Sequence, residues 1–112
     1  MDTFEFKSLK STDIAGVGAS SAVTSDTLQP IFVNQKRTAI AQVTQTGTQG
    51  TNEITIQGSL TGGTNTFTTI HTVTNLAQNG VNHTVITLFP YMRCVVSAGS
   101  DANVAFQVTL GV

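Results

Sequence analysis

The sequence predicts an all-β protein, an antiparallel β-sandwich of the jelly-roll or immunoglobulin-like type with about six to eight strands and an extended N-terminal arm. Apolar residues alternate with polar ones in runs such as residues 103–110, which is the period of a half-buried strand. Glycine and asparagine turns separate these runs, and no segment has a convincing helical period. The 112 residues suffice for a single two-layer core.

The strands are predicted one after another from residue 38 onward, because each alternating run ends at a turn sequence. They cover Thr38 to Thr44, Glu53 to Leu60, Thr66 to Thr74, Val81 to Phe89, Tyr91 to Ala98 and Asn103 to Leu110. Gly62-Gly63 and Asn79-Gly80 suit tight turns, and the second pair tolerates positive φ. Pro90 interrupts the chain between two runs. Such short connections predict hairpins between consecutive strands.

The first 36 residues follow a different pattern and are predicted to form an arm ahead of a sandwich domain at residues 37–112. Short strand-like stretches lie at its two ends, and small residues fill residues 14–25 between them. Two interpretations stay open: the short strands complete the same sandwich at its edges, or the arm reaches a neighbouring subunit. In the second interpretation the residues that contact the partner are Phe4, Phe6, Ile14, Val17, Ile31, Phe32, Lys36 and Arg37.

Charge is scarce in this chain. Five Lys and Arg residues face six Asp and Glu residues, which gives a net charge of -1 and no basic field for nucleic acid. Charged residues make up 10% of the sequence, against roughly a quarter in ordinary soluble domains. The surface is therefore either kept soluble by hydroxyl and amide groups or buried in an assembly. No run reaches the roughly 18 apolar residues of a membrane span, and the first residues lack the pattern of a secretory signal.

Residues that commonly carry catalysis do not form a known motif in this sequence. There is no nucleophile elbow, phosphate-binding loop, zinc-protease motif or calcium loop. Cys94 is the single cysteine and alternates with apolar residues in a predicted strand, so we expect it to be buried. We expect neither an enzyme nor a cofactor. The carboxylates are scattered, at Asp2, Glu5, Asp13, Asp26, Glu53 and Asp101.

Two histidines and one arginine are the remaining polar candidates. If residues 66–89 form a hairpin, His71 and His83 lie nearly opposite each other, which suits a structural cross-strand pair. Two imidazoles are too few for a protein zinc site, although a metal shared between subunits or a ligand contact are the alternatives. Arg93 lies in an apolar run and needs a partner, which is Glu53, Asp101 or a neighbouring subunit.

Several sequence features occur together in one known group of proteins. A strand that ends in Gly58-Ser59 leads into a glycine-rich hairpin at Gly62-Gly63, and Phe67 follows. Later come an aromatic-x-Arg strand at residues 91–93 and a closing strand at residues 104–110. In this combination the chain resembles the small β-sandwich proteins of tailed bacteriophages. In that group the aromatic-x-Arg strand pairs with the final strand, and a tryptophan often stands where this chain has Phe67.

The resemblance covers residues 38–112 and implies a role in the virion. Its first expectation is a capsid decoration, or cement, protein that sits on the capsid surface, binds the major capsid protein and stabilises the shell. A homotrimer made in the host cytoplasm is the expected form, with no nucleic acid or membrane partner. The alternative is a tail or fibre module, an adhesin that binds a host surface glycan.

Overall fold

The computed structural model describes residues 2–7, 22–30, 37–46, 52–97 and 104–112. Its named elements within these ranges are eight β-strands. They are β1 (Thr3–Glu5), β2 (Val23–Thr24), β3 (Thr38–Gln45), β4 (Glu53–Ser59), β5 (Thr68–Thr74), β6 (Val81–Thr87), β7 (Tyr91–Val96) and β8 (Phe106–Gly111). The strands predicted from residue 38 onward are thereby confirmed, and their ends differ by a few residues only.

The strands form two four-stranded sheets. Sheet I has the order β1-β8-β3-β6 and sheet II the order β2-β7-β4-β5, and every pairing is antiparallel. Two sheets with this order make an eight-stranded jelly roll. The predicted antiparallel β-sandwich is confirmed, and of the two predicted types the structure has the jelly roll.

Chain neighbours mostly lie in opposite sheets, which corrects the prediction of hairpins between consecutive strands. Of the described strands, β4 and β5 are the one consecutive pair that lies side by side in a sheet. Side-chain alternation specifies which residues point inward, but it is the same whether a short turn stays within one sheet or crosses to the other. The turns at Gly62-Gly63 and Asn79-Gly80 therefore lie where the sequence predicts them, whereas the strand pairings, apart from that of β4 with β5, do not.

The final strand shows the same kind of difference. The phage resemblance implies that the aromatic-x-Arg strand, here β7, pairs with the last strand. In the structure β7 lies between β2 and β4 in sheet II, whereas β8 lies between β1 and β3 in sheet I. These two strands face each other through the core and do not share a ladder.

The core lies between the sheets and uses alternate residues of each long strand. In β3 the inward residues include Ala41 and Val43, and in β8 they include Val108 and Leu110. Sheet II contributes Ile54, Ile56, Met92 and Cys94, all nearly or fully buried. Because successive side chains of a strand point to opposite faces of its sheet, the residues between these core positions form the outer faces of the sandwich.

The two short N-terminal strands complete the sheets at their edges. β1 pairs with β8, and the main chains of Asp2 and Val112 exchange two hydrogen bonds of 3.0 and 2.9 Å just beyond it. β2 pairs with β7, and Leu28 adds an isolated bridge to Met92. Of the two interpretations of the first 36 residues, the described part fits edge strands of the same sandwich.

One buried asparagine holds the connection that carries the chain from sheet II to sheet I. The side chain of Asn52 accepts a hydrogen bond from the Leu76 amide at 3.1 Å and donates one to the Leu76 carbonyl at 3.2 Å. Asn75 and Asn79 take positive φ, as expected for Asn79. Gly80 does not, and its need for glycine is steric: a Cβ there would lie 2.8 Å from the Ala77 carbonyl oxygen.

Candidate interaction surface

The outer face of sheet I is the most apolar exposed surface among the described residues. It is built mainly by β3 and β6, whose register places Ile40 opposite Val85 and Gln42 opposite His83. Ile40 is 43% exposed, Val81 53% and Val85 72%. Large exposed apolar side chains that share one face are characteristic of a contact surface. The other side chains that β3 and β6 place on this face are Thr38, Thr44 and Thr87, so neither strand contributes a charged residue to it.

A shallow concavity of about 360 Å³ lies on this face. Its floor includes Gly111, which is opposite Ile40 in the β3–β8 ladder and has no side chain to fill the space. His83 Nε2 lies 2.9 Å from Gln42 Oε1, so the two polar groups of the lining satisfy each other. The lining is completed by two threonines, Thr3 and Thr109. Such a surface can receive apolar side chains and hydrogen-bonding groups, and it offers no pair of residues for acid–base or nucleophilic chemistry.

The outer face of sheet II carries the one arginine expected to need a partner. Arg93 Nε donates a hydrogen bond of 2.8 Å to Gln57 Oε1, and its guanidinium carbon lies 4.1 Å from the centroid of the Phe67 ring. The partners of Arg93 are therefore the Gln57 amide and the Phe67 ring, and not the predicted carboxylate. Glu53, one predicted partner, accepts a hydrogen bond of 2.8 Å from Ser97 Oγ, and Asp101 lies outside the described residues.

The two histidines do not form the predicted cross-strand pair. β5 and β6 belong to different sheets, so His71 and His83 are not neighbours in a ladder. His71 Nε2 is 3.1 Å from Asn82 Oδ1, which ties the two sheets together at the side where β5 and β6 meet. His83 projects to the outer face of sheet I with Gln42. In the described ranges no group of three or more His, Cys, Asp and Glu residues is arranged to hold a metal ion.

Cys94 is buried in the core, as the sequence predicts. Burial raises the pKa of its thiol well above the ordinary value, and the nearby Asp26 carboxylate adds to the shift. The backbone around it is fixed, because the Cys94 amide donates a hydrogen bond of 2.8 Å to Ser25 Oγ. A neutral, buried thiol is a packing residue and not a nucleophile.

This raised pKa predicts a loss of stability at alkaline pH. Above about pH 8.5 the thiol ionises in the unfolded chain and stays neutral in the folded one, so rising pH favours unfolding by up to about 1.4 kcal/mol per pH unit. Urea unfolding of the wild type and of Cys94→Ala at pH 7 and pH 10 measures this. We expect the wild type to lose about 2 kcal/mol more than the variant between these two pH values. Parallel losses in both proteins would contradict the assignment.

The residues predicted to contact a partner lie in different places. Phe6 is buried in the sandwich core and Phe4 is half-buried against it, so neither is an exposed anchor. Arg37 is exposed, and its carbonyl accepts a hydrogen bond of 2.8 Å from the Leu88 amide at the start of β3. The other predicted contacts lie outside the described residues; they are Ile14, Val17, Ile31, Phe32 and Lys36.

Sequence reasoning did not identify the outer face of sheet I, although a signal for it is present. In β6 the neighbours Val85 and Ile86 are both apolar, which breaks strict alternation and puts one of them on each face. Ile40 likewise stands between two inward alanines of β3. Apolar residues of both parities in one strand indicate a strand that is covered on both faces.

No protein-family model and no curated protein matches this sequence. Among solved structures, the fold is similar to the crystal structure of PirA, with a TM-score of 0.56, 13% identity and coverage of 100% of this chain and 95% of that one. It is also similar to a chain from Bacillus endospore appendages, described as a novel family of disulfide-linked pili. There the TM-score is 0.55, the identity 14% and the coverage 97% of this chain and 82% of that one. At these identities the likeness shows the β-sandwich fold alone. No helix in the described part of the chain is long and apolar enough to cross a membrane.

Proposed function

We propose that this chain is a structural protein of a bacteriophage virion, a capsid decoration protein that binds the major capsid protein and stabilises the shell. The observation that carries the proposal is the outer face of sheet I, where Ile40, Val81 and Val85 are exposed between uncharged polar residues. A surface of this composition gains free energy when a partner covers it. The sequence resemblance to phage β-sandwich proteins supports the virion as the place of that partner.

The contact surface in this proposal differs from the one expected from the sequence. Phe4 and Phe6 pack within the sandwich, so the outer face of sheet I takes the role that the N-terminal arm had in that expectation. The mechanism is the sum of many modest contacts, one set for each copy of the protein on the shell. In this role the protein acts as a homo-oligomer, a trimer, on the capsid surface.

The similar fold in the Bacillus pili agrees with a protein that works in an assembly, but this chain has no exposed cysteine for a disulfide bond between copies. Those pili are described as disulfide-linked. This chain has a single cysteine, and Cys94 is buried with no exposed surface. Contacts between copies here therefore depend on packing and hydrogen bonding.

The second candidate function is a tail or fibre module that binds a host surface glycan. One described feature favours it: Arg93 stacked on Phe67 on the outer face of sheet II, with Tyr91 and Gln57 in neighbouring positions. Aromatic faces and fixed hydrogen-bond donors are what a sugar ring requires. The two functions use opposite faces of the sandwich, so surface variants can separate them.

Particle binding by matched surface variants tests the proposal. Val85→Glu places a charge in the proposed contact, whereas Thr72→Glu places the same charge on the outer face of sheet II, at another exposed strand position. We expect Val85→Glu to reduce binding to the phage particle at least tenfold, since a buried unpaired charge costs more than about 1.4 kcal/mol. Thr72→Glu should bind as the wild type does. Sedimentation of each variant with purified particles measures this.

Electron cryomicroscopy of the same particles gives the position of the protein. Density on the shell, with the outer face of sheet I against the major capsid protein, is the expected result. Density confined to the tail, together with loss of binding for Thr72→Glu and not for Val85→Glu, would replace the decoration role by the glycan-binding one. No density on the particle would overturn both.

A further inference from the structure

Strand β6 is an unusually open edge of sheet I. Among the strands that the structure describes, the edge strands are β1 and β6 in sheet I and β2 and β5 in sheet II. Natural proteins protect such edges with charges, bulges or very short strands, because unpaired main-chain groups there can pair with another chain. The four edges of this protein can therefore be compared for the protection that each carries.

Three of the edges are protected. β1 has three residues, and its Glu5 forms an ion pair of 3.7 Å with Lys7. β2 has two residues, and Asp26 follows closely. β5 is longer, but its ladder with β4 shifts register between Ile56 and Gln57, which is the mark of a β-bulge. Each of these features discourages the addition of a further strand.

β6 has none of these protections. It has seven residues, with neither a charged residue nor a proline between Val81 and Thr87, and its register with β3 is uninterrupted. Five of the seven residues are β-branched, namely Val81 and the four residues at positions 84–87, and such residues favour strand pairing. Among the strands that the structure describes, β3 is the single partner of β6.

The hydrogen-bond register shows which main-chain groups of β6 point outward. Beyond the two ends of the β3–β6 ladder, the Leu88 amide donates to the Arg37 carbonyl at 2.8 Å and the Gln45 amide to the Gly80 carbonyl at 3.4 Å. Hydrogen-bonded pairs recur at every second residue of an antiparallel ladder, so the main chains of residues 82, 84 and 86 face β3. Those of Val81, His83 and Val85 therefore face away from the sheet.

We propose that β6 is a self-association strand, which pairs antiparallel with β6 of a second copy of this chain. A second copy fits this edge because the strand is complementary to itself: it is uncharged, and pairing about Thr84 sets Val85 of one copy opposite His83 of the other. A strongly charged partner would find no complementary charge there. The pairing would also join the two outer faces of sheet I side by side into one surface.

This inference goes beyond the proposed function and does not depend on it, because self-association of the purified chain is measured without any particle. The contact has twofold symmetry and gives even-numbered assemblies. Alone it makes a dimer, and in a trimer it links each subunit to a subunit of another trimer. Blocking it therefore lowers the mass of the assembly in either case.

Val85→Pro is the variant that tests the pairing. The Val85 amide faces away from β3, so proline removes a donor that the folded subunit does not use, and proline is tolerated at such edge positions. We expect sedimentation equilibrium to show at least tenfold weaker self-association than in the wild type, with an unchanged circular dichroism spectrum. Val85→Lys should act in the same direction and keeps the donor. The control is Gln107→Lys, which puts a charge at an exposed position of the same face but in the central strand β8, away from β6.

Hydrogen exchange gives a second readout at the same residues. In a lone subunit the amides of His83 and Val85 have no partner in β3 and should exchange quickly, whereas pairing should slow them as the protein concentration rises. Three results would each overturn the proposal: a monomer at all concentrations up to about 1 mM, self-association unaffected by Val85→Pro, or self-association abolished by Gln107→Lys. The last would indicate contact through the outer face. For Val85→Pro, which keeps position 85 uncharged, loss of self-association with unchanged particle binding would leave the decoration role standing.

Discussion

Leu110→Ala is expected to lower the free energy of unfolding by about 2 to 5 kcal/mol. Leu110 lies in β8, which pairs with both β1 and β3 at the centre of sheet I, and it is 0% exposed. Truncation leaves a cavity that the surrounding strands cannot fill, because their own positions are fixed by two ladders. Chemical denaturation monitored by circular dichroism measures the loss.

Leu60→Ala is the matched control, since it removes the same atoms from a leucine that is 71% exposed. Its effect should stay within about 0.5 kcal/mol, as for most surface substitutions. If both variants lose the same stability, the burial that the structure gives to these two leucines is contradicted. The comparison tests the inward and outward assignment of the sandwich without requiring knowledge of its function.

Gly58→Val is expected to destabilise the fold by about 1 to 3 kcal/mol or more, through overpacking. Gly58 is a buried residue of β4, and a Cβ there would lie 2.5 Å from Phe89 Cδ2, 2.6 Å from Phe89 Cγ and 2.8 Å from Ile70 Cδ1. Phe89 Cγ lies on the axis about which the ring rotates, and it is nearly as close to this Cβ as Cδ2 is. A small rotation of the ring therefore does not relieve the clash. The glycine is thus required by the packing of two neighbouring side chains.

The cause of that loss is tested by a second substitution. Phe89→Leu removes ring volume next to residue 58, so the double variant Gly58→Val/Phe89→Leu should recover part of the stability that Gly58→Val loses, relative to Phe89→Leu alone. Gly63→Ala serves as the control, because its Cβ would meet only the ends of two threonine side chains in an exposed turn, Thr66 at 3.3 Å and Thr61 at 3.8 Å. Additive effects in the double variant would argue against a steric clash.

The sequence predicted the strands well and their arrangement less well, for a physical reason. The side-chain period of two residues identifies β3 to β8 because each has one face in the core. The same period does not report which sheet a strand joins. That choice depends on contacts such as those of Asn52 with Leu76, which join residues distant in the chain. β2 was not predicted, since Val23 stands alone among small residues.

The candidate surface was less predictable than the fold. Its residues are exposed, and the neighbouring sequence does not show whether a valine in a strand is exposed or buried. Val85 and Ile86 are adjacent, and the structure had to show that Ile86 points to the core and Val85 to the surface. The partner of Arg93 was missed because an aromatic face can serve a guanidinium in place of a carboxylate, and composition does not distinguish the two.

The position of β8 between β1 and β3 determines when sheet I can be completed during synthesis of the chain. β3 is synthesised some 60 residues before the strand that must lie beside it, as the pairing of Val43 with Val108 shows. Until β8 emerges, sheet I is divided into two separate parts, and the main-chain groups of β3 that face β8 have no ladder partner. Long-range pairing of this kind makes folding slow and late. Sheet I is therefore completed only after β8 has been synthesised, and until then β3 presents an unpaired strand edge.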